Sequence, residues 1–241
     1  AERARAAEAY FAEHAEEWDA IRSLHVAEAD VEAAMRAMLD GQAIGHLLDI
    51  GTGTGRMLEL FGPRAERGLG IDLSLDMLLL ARARIERANL RHCSVRQGDI
   101  YDLAVPAASF DVVIIHQVLH FLDDGARAIR EAARVLAPGG RLLVVDFAPH
   151  DLEFLREEHA HRRLGFAKET VEQWLAAAGL TDSRYGRTLS TSWPVVLPIL
   201  GIPIDHVAVS NEIVVLAHRR LPAFGSDHWG IMAELALKAQ P

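Results

Sequence analysis

Leu47-Leu48-Asp49-Ile50-Gly51-Thr52-Gly53-Thr54-Gly55 is an apolar run that ends in an acid and then meets three glycines at alternate positions. A helical stretch begins near Arg56. A strand that stops at such a turn brings bare backbone to the surface at a helix start, and glycine lets a ligand approach the main chain closely. The stretch therefore predicts a nucleotide-type cofactor site at the first strand–helix junction of an α/β domain.

The spacing narrows the cofactor. Dinucleotide folds require G-x-G-x-x-G, and counting from Gly51 the sixth position is Arg56, so that fingerprint fails. No Gly-Lys-Ser/Thr follows, so the P-loop pattern fails as well. What stands is an acid, Asp49, two residues ahead of the first of three alternating glycines. An acid there repels a pyrophosphate and attracts a cationic amino acid. S-adenosyl-L-methionine carries an ammonium and a sulfonium and no phosphate, which makes it the expected cofactor, held at Asp49, Gly51, Thr52, Gly53 and Gly55. The plain alternative is a glycine-rich turn without a ligand.

Two further acids fall where this cofactor needs them. Residues 67–71 read as a second strand, followed by Asp72, 21 residues after Gly51. A carboxylate at that strand end can accept both ribose hydroxyls, a device shared with nicotinamide enzymes. Leu73 and Met77 are placed in the site beside it. Val95-Arg96-Gln97-Gly98-Asp99-Ile100 reads as a third strand running into a turn. There Gly98 lies by the ligand, Asp99 accepts the adenine amino group and Ile100 packs on the ring. The competing reading makes Asp99 an Asx-turn residue.

At this point the chain resembles a class I S-adenosylmethionine-dependent methyltransferase. The resemblance rests on LLDIGTGTGRMLEL, GIDLSLDML, VRQGDIYDL, FDVVIIHQVLHFLDD and EAARVLAPGGRLLVVDF, in the family's order over residues 47–147. Tyr10-Phe11 to Trp18-Asp19, and Glu157 to Phe166, are similar to the methyltransferase half of bacterial chains that carry an arsenical-type winged-helix repressor in front. No DNA-binding half is present, and the chain begins at Ala1, so a fragment or processed form is expected. The resemblance implies a doubly wound, mostly parallel Rossmann-like α/β sheet. It implies methyl transfer to a small-molecule oxygen, nitrogen or carbon acceptor.

Composition agrees. The 241 residues suffice for one sizeable domain with additions, and 50% hydrophobic content supports a large core. A formal net charge of −9 argues against nucleic-acid or anionic-membrane partners. A single cysteine, Cys93, excludes an internal disulfide framework and argues against arsenite as acceptor. No secretory pattern and no apolar run of about 18 residues is seen, so the expected location is cytoplasmic.

Three regions are expected. Residues 1–40 form a helical lid: 2–18 favour helix, 27–39 form a second helix stopped by Asp40-Gly41, and Tyr10, Phe11 and Trp18 are candidates to cover the ligand. The alternative leaves those aromatics as ordinary packing residues of an amphipathic helix. Residues 41–180 form the cofactor-binding core. There FDVVII at 110–115 is a doubly covered strand, and Ile129, Ala132, Ala133 and Leu136 line one face of a helix over 125–136. Pro138-Gly139-Gly140 turns into a strand over 141–147, and a helix over 168–178 ends before Gly179.

The acceptor side is expected at the carboxyl ends of the later strands. His116 and Gln117 follow strand 110–115, His120 lies one turn on, and Asp146 and Phe147 end the next strand. His159, His161, Arg162 and Arg163 fall in a candidate substrate loop. His116 and His120 are the candidate general bases, against a cofactor-lining or helix-start role for His116. Alignment of nucleophile, methyl and sulfur can supply much of the acceleration without a base. The histidines lack a tight metal-ligand spacing, so no metal is expected.

Residues 181–241 do not follow the pattern. The resembled family ends in two antiparallel strands, whereas TLSTSWPVVLPILGIPIDHVAVS and EIVVLAHRRLPAFGSDHWGIMAELAL are similar to the carboxyl-terminal end of the endonuclease/exonuclease/phosphatase superfamily. There the positions of Asp205, His206, Ser226, Asp227 and His228 belong to a metal-dependent phosphodiesterase site. The resemblance covers only about residues 185–237, and without the earlier metal-binding segment hydrolysis is not expected. The expectation is a chimera in which a hairpin of Ile204–Val209 and Ile213–His218 covers the sheet edge, with residues 229–238 adding a helix or strand. The competing expectation is a swapped tail and a dimer, so monomer and homodimer stay open. Three functions stay open beside each other: small-molecule methyl transfer, cofactor binding with impaired catalysis, and remotely phosphodiester hydrolysis.

Overall fold

The computed structural model describes residues 28–40, 44–151, 153–158, 161–182, 206–210, 213–220 and 231–237. Tyr10, Phe11, Trp18, His159, Asp205, Ser226, Asp227 and His228 lie outside them. Helix α1 (Glu28–Met38) precedes strand β1 (Ile44–Ile50), helix α2 (Arg56–Phe61), β2 (Ala65–Asp72), α3 (Leu75–Arg87), β3 (Cys93–Gln97) and β4 (Phe110–His116). Helix α4 (Gly125–Val135), β5 (Leu136–Val145), α5 (Phe154–Glu158), α6 (Lys168–Ala177) and β6 (Leu180–Asp182) follow. Strands β7 (His206–Ser210), β8 (Ile213–Arg220) and β9 (Ile231–Leu237) end the description.

Seven strands form one sheet in the order β3-β2-β1-β4-β5-β7-β6. The first five pair in parallel, as expected for a doubly wound α/β domain. Alternation along the central strands divides the core between the two faces. Leu48, Ile50, Val113, Ile115, Leu142 and Val144 pack with Ala128, Ile129 and Ala132 of α4 and Val171 and Leu175 of α6. Leu47, Val112, Ile114, Leu143 and Val145 pack with Met35 and Leu39 and with Met57, Leu58 and Phe61 of α2. Strands covered on both sides need the near-continuous apolar runs seen in LLDI and FDVVII.

Helix α1 is part of this core. Met35 and Leu39 are each 1% exposed, and Glu32 holds Arg56 at the start of α2 through two charged hydrogen bonds of 2.5 and 2.7 Å. Glu59 takes the same guanidinium at 2.6 Å, and the two carboxylates raise its pKa against the opposing effect of burial.

Three details differ from the sequence expectation. Strand β5 begins at Leu136, which pairs with Phe110, and the next pair is Val112 with Arg141, so Pro138-Gly139-Gly140 forms a bulge inside the strand. It ends at Val145, leaving Asp146 and Phe147 beyond it. The expected hairpin is not formed: β7 pairs antiparallel with β5 and with β6, while β8 pairs with β9 in a separate two-stranded sheet. The edge of β5 is thus covered by 206–210, and Leu180–Asp182 supplies the outer strand that the hairpin reading assigned to 213–218. Unpaired ladder groups on β5 favour whichever segment can reach them, and Val207 and Ala208 lie opposite Leu143 and Leu142. No helix among the described residues is long and apolar enough to cross a membrane.

Candidate functional site

The sheet order reverses between β1 and β4, the place where open α/β sheets form a crevice at their carboxyl ends. A cleft lies there. Asp49, Ile50, Gly51, Thr52 and Gly53 line it from the end of β1, and Asp72, Leu73, Ser74 and Met77 from the end of β2 and the start of α3. Gly98, Asp99, Ile100 and Tyr101 close one side, and His116, Gln117, Val118, Phe121, Leu122, Asp123 and Arg162 the other.

The glycine turn is tied to β2. Gly51 and Thr52 both donate their amides to the Ile71 carbonyl, at 2.8 and 3.0 Å. Asp49 is 1% exposed and accepts the Thr52 hydroxyl at 2.5 Å. Asp72 accepts the amides of Gly53 at 2.8 Å and Ser74 at 2.9 Å, one on each oxygen. Burial pushes the Asp72 carboxyl above the usual range, and the amides of Ser74, Gly53 and Leu73 oppose that shift. Each oxygen of an ionised carboxylate has about two acceptor positions, so both retain capacity for a hydroxyl donor.

Asp99 is an Asx-turn residue at the edge of the cleft. One oxygen accepts the Tyr101 amide at 2.8 Å, an Asx turn, and the residue also lines the cleft. Gly55 departs from its expected place. It does not line the cleft; it stands at the head of α2 with φ of +82°, and a Cβ there would lie 3.1–3.2 Å from Ala81 of α3. Glycine at position 55 serves helix packing.

His120 also departs from its expected place. It is 1% exposed, does not line the cleft, and bonds through Nδ1 to Asp146 Oδ1 at 2.8 Å. Its ring stacks on His161, with centroids 4.1 Å apart, and packs against Phe121 and Phe147. Burial among aromatic rings leaves it outside the cleft lining. His116 stays in the cleft wall, and Gln117 beside it adopts φ of +55° with its amide held by the Val145 carbonyl at 2.7 Å. A non-glycine residue in that region is uncommon and occurs preferentially at ligand sites.

Asp146 organises this side. Its carboxylate accepts the Leu119 amide, the His120 ring and the Phe147 amide, each at 2.8 Å. The His120 carbonyl in turn accepts the amides of Arg162 at 3.0 Å and Arg163 at 3.2 Å. Phe166 donates to the Phe147 carbonyl, which seats Gly165 against the backbone of Phe147 and Ala148. Gly165 has φ of +79°, and a Cβ there would lie 2.0 Å from the Ala148 oxygen, so only glycine fits. Of the candidate substrate loop, Arg162 reaches the cleft, whereas His161 is buried behind it. Tyr101, Val118, Phe121, Leu122 and Asp123 were not singled out as site residues from the sequence. Their common signal is position within a few residues of a strand's carboxyl end. None of α1 lines the cleft, and no metal-binding group of three or more ligands occurs among the described residues.

Comparison with known proteins agrees with this geometry. Residues 48–144 match the family model described as "Methyltransferase domain". The chain is 32% identical over 144 residues to the uncharacterized methyltransferase YcgJ of Bacillus subtilis, covering 58% of this chain and 57% of that protein. It is 30% identical over 217 residues to an uncharacterized 37.1 kDa protein in transposon TN4556 of Streptomyces fradiae, covering 82% of this chain and 60% of that one. The chain thus spans less than two thirds of these relatives' own lengths. The crystal structure of the Bacillus YcgJ protein superposes with a TM-score of 0.59 at 22% identity, over 81% of this chain and 74% of that one, which shows a shared fold. The matched residues 48–144 lie on the Rossmann-like parallel sheet.

Proposed function

We propose that this chain transfers a methyl group from S-adenosyl-L-methionine to a small-molecule acceptor. The observation that carries the reading is the set of three carboxylates, Asp49, Asp72 and Asp99, at the ends of β1 and β2 and just past β3, around one glycine turn. These acids suit a ligand with an ammonium, a ribose diol and an adenine amine, and they oppose a phosphate. The Gly53 amide, which a pyrophosphate would need, is engaged by Asp72.

Asp72 would hold the ribose, Asp99 and Ile100 the adenine, and Asp49 with the turn the amino-acid portion. When bound, this cofactor supplies an electrophilic methyl on a sulfonium. His116, Gln117 and Phe121 then bound the space in which an acceptor is oriented and from which water is excluded. His116 is the cleft's candidate for accepting a proton from an oxygen or nitrogen acceptor. The seven-stranded sheet favours this reading over a catalytically impaired one, because β4 and β7 leave β5 paired on both edges.

The test is incubation with methyl-labelled cofactor and a fractionated metabolite extract, followed by product mass analysis. The expected result is a labelled small molecule with a mass increase of one methylene, together with S-adenosylhomocysteine. Cofactor binding without any labelled product would favour the impaired reading.

A further inference from the structure

The charges lining the cleft are unevenly distributed. Asp49, Asp72 and Asp99 occupy the cofactor end. At the other end stands Arg162, the sole lysine or arginine among the described lining residues. Its side chain is 16% exposed, so most of its stem lies in the wall, and its guanidinium pairs with Asp123, which is 74% exposed.

Arg162 is not placed by a flexible loop alone. Its amide is held by the His120 carbonyl at 3.0 Å, and His120 is fixed by Asp146 and stacked on His161. Arg163 adds a bond from its guanidinium to the Asp123 carbonyl at 3.2 Å, which ties the same two segments together. The chain therefore positions a planar, permanently charged fork beside Phe121 and Leu122. The carboxylate facing that fork belongs to a largely solvated residue, and an exposed ion pair is worth little, so it yields readily to a better-buried anion.

We propose that Arg162 selects the acceptor: the small molecule carries a carboxylate, which takes the place of Asp123 on the Arg162 guanidinium while the nucleophile lies toward His116. This rests on the methyltransferase reading of the same cleft. It places the acceptor's anionic group at the end away from the cofactor acids, where Asp123 is the competing carboxylate among the described lining residues.

The test uses matched aromatic probes: hydroxybenzoates and aminobenzoates against their methyl esters. S-adenosylhomocysteine binding is measured first by calorimetry, and its failure would strike the methyltransferase reading itself. With that binding in place, the carboxylates are expected to bind the S-adenosylhomocysteine complex roughly ten- to hundredfold tighter than their esters. In an Arg162→Gln variant that still binds S-adenosylhomocysteine, the ratio should fall to about one, and Arg162→Lys should retain part of it because it keeps the charge and loses the fork. Asp123→Asn removes the competitor and should raise carboxylate affinity. Equal binding of acids and esters by the wild type would overturn the proposal. So would a loss of preference in Asp123→Asn, which would make the ion pair a latch only.

Discussion

The acidic end of the cleft draws Asp49, Asp72 and Asp99 from three strand ends; Thr52 and Gly53 of the glycine turn hold the first two, and the amide of Tyr101 holds the third. The acceptor end is built differently. It joins residues 116–123 to residues 146–166 through Asp146, His120 and two backbone amides. One end is a local device repeated along the chain; the other is an assembly across distant segments. Damage at the first should therefore be confined to cofactor affinity, and damage at the second should spread from packing to acceptor turnover.

The sharpest way to break this comparison is at Gly165. Gly165→Ala drives a Cβ into the Ala148 carbonyl at 2.0 Å and forces a left-handed residue. Thermal or denaturant unfolding should show a loss of roughly 3 kcal/mol or more, or failure to accumulate as folded protein. Gly179 has nearly the same φ, +77°, with nothing within 4 Å, so Gly179→Ala should cost only about 1–2 kcal/mol. Equal effects would show that the Phe147–Ala148 seat is not tight.

Asp72→Ala tests the other end. Removing the carboxylate proposed to accept the two ribose hydroxyls should weaken S-adenosylhomocysteine binding by about a hundredfold in calorimetry. Unchanged affinity would place the ribose elsewhere. The acidity of Asp72 adds a pH test with two readouts of opposite sign. Burial raises this carboxyl's pKa in the fold, so its contribution to the stability of the free protein is fully present below the ordinary carboxylate range and is lost as pH rises through the raised value. Ligand affinity needs the anion and is lost as pH falls through the same value. A binding profile flat down to the ordinary carboxylate range would contradict the assignment.

Asp146→Asn sharpens the contrast from the acceptor side. An amide cannot accept from Leu119, His120 and Phe147 together, because its nitrogen is a donor. Acceptor kcat/KM should fall roughly ten- to hundredfold, with S-adenosylhomocysteine affinity within about threefold. The smallest effect belongs to Glu32→Gln, which lines neither end of the cleft. It weakens the tie between α1 and Arg56 and should cost about 1 kcal/mol of stability, with no change in ligand affinity.

The same contrast explains what could be read from the residues alone. Alternating glycines, an acid before them and an acid at the next strand end are local patterns, so the placing of Asp49, Asp72 and Asp99 at the cleft is legible, as is the parallel order of the first strands. The packing of Gly55 is not legible, because the glycine of a cofactor turn and the glycine of a tight helix crossing look alike until Ala81 is seen beside it. The burial of His120 is not legible, because its helical spacing from His116 says nothing about Asp146, 26 residues away, which draws it inward. Arg162 gave only the generic signal of a basic loop. The pairing of β7 was obscured by a strand competition: 206–210 could pair with the following apolar strand or with β5, and alternation does not choose between them.

The central claim, that the three carboxylates form an S-adenosylmethionine site, is tested most directly by calorimetric titration of the folded protein with S-adenosylhomocysteine. Saturable binding at one ligand per chain is expected, abolished or strongly weakened in Asp72→Ala. Absence of heat and of thermal stabilisation in a demonstrably folded wild-type sample would contradict it.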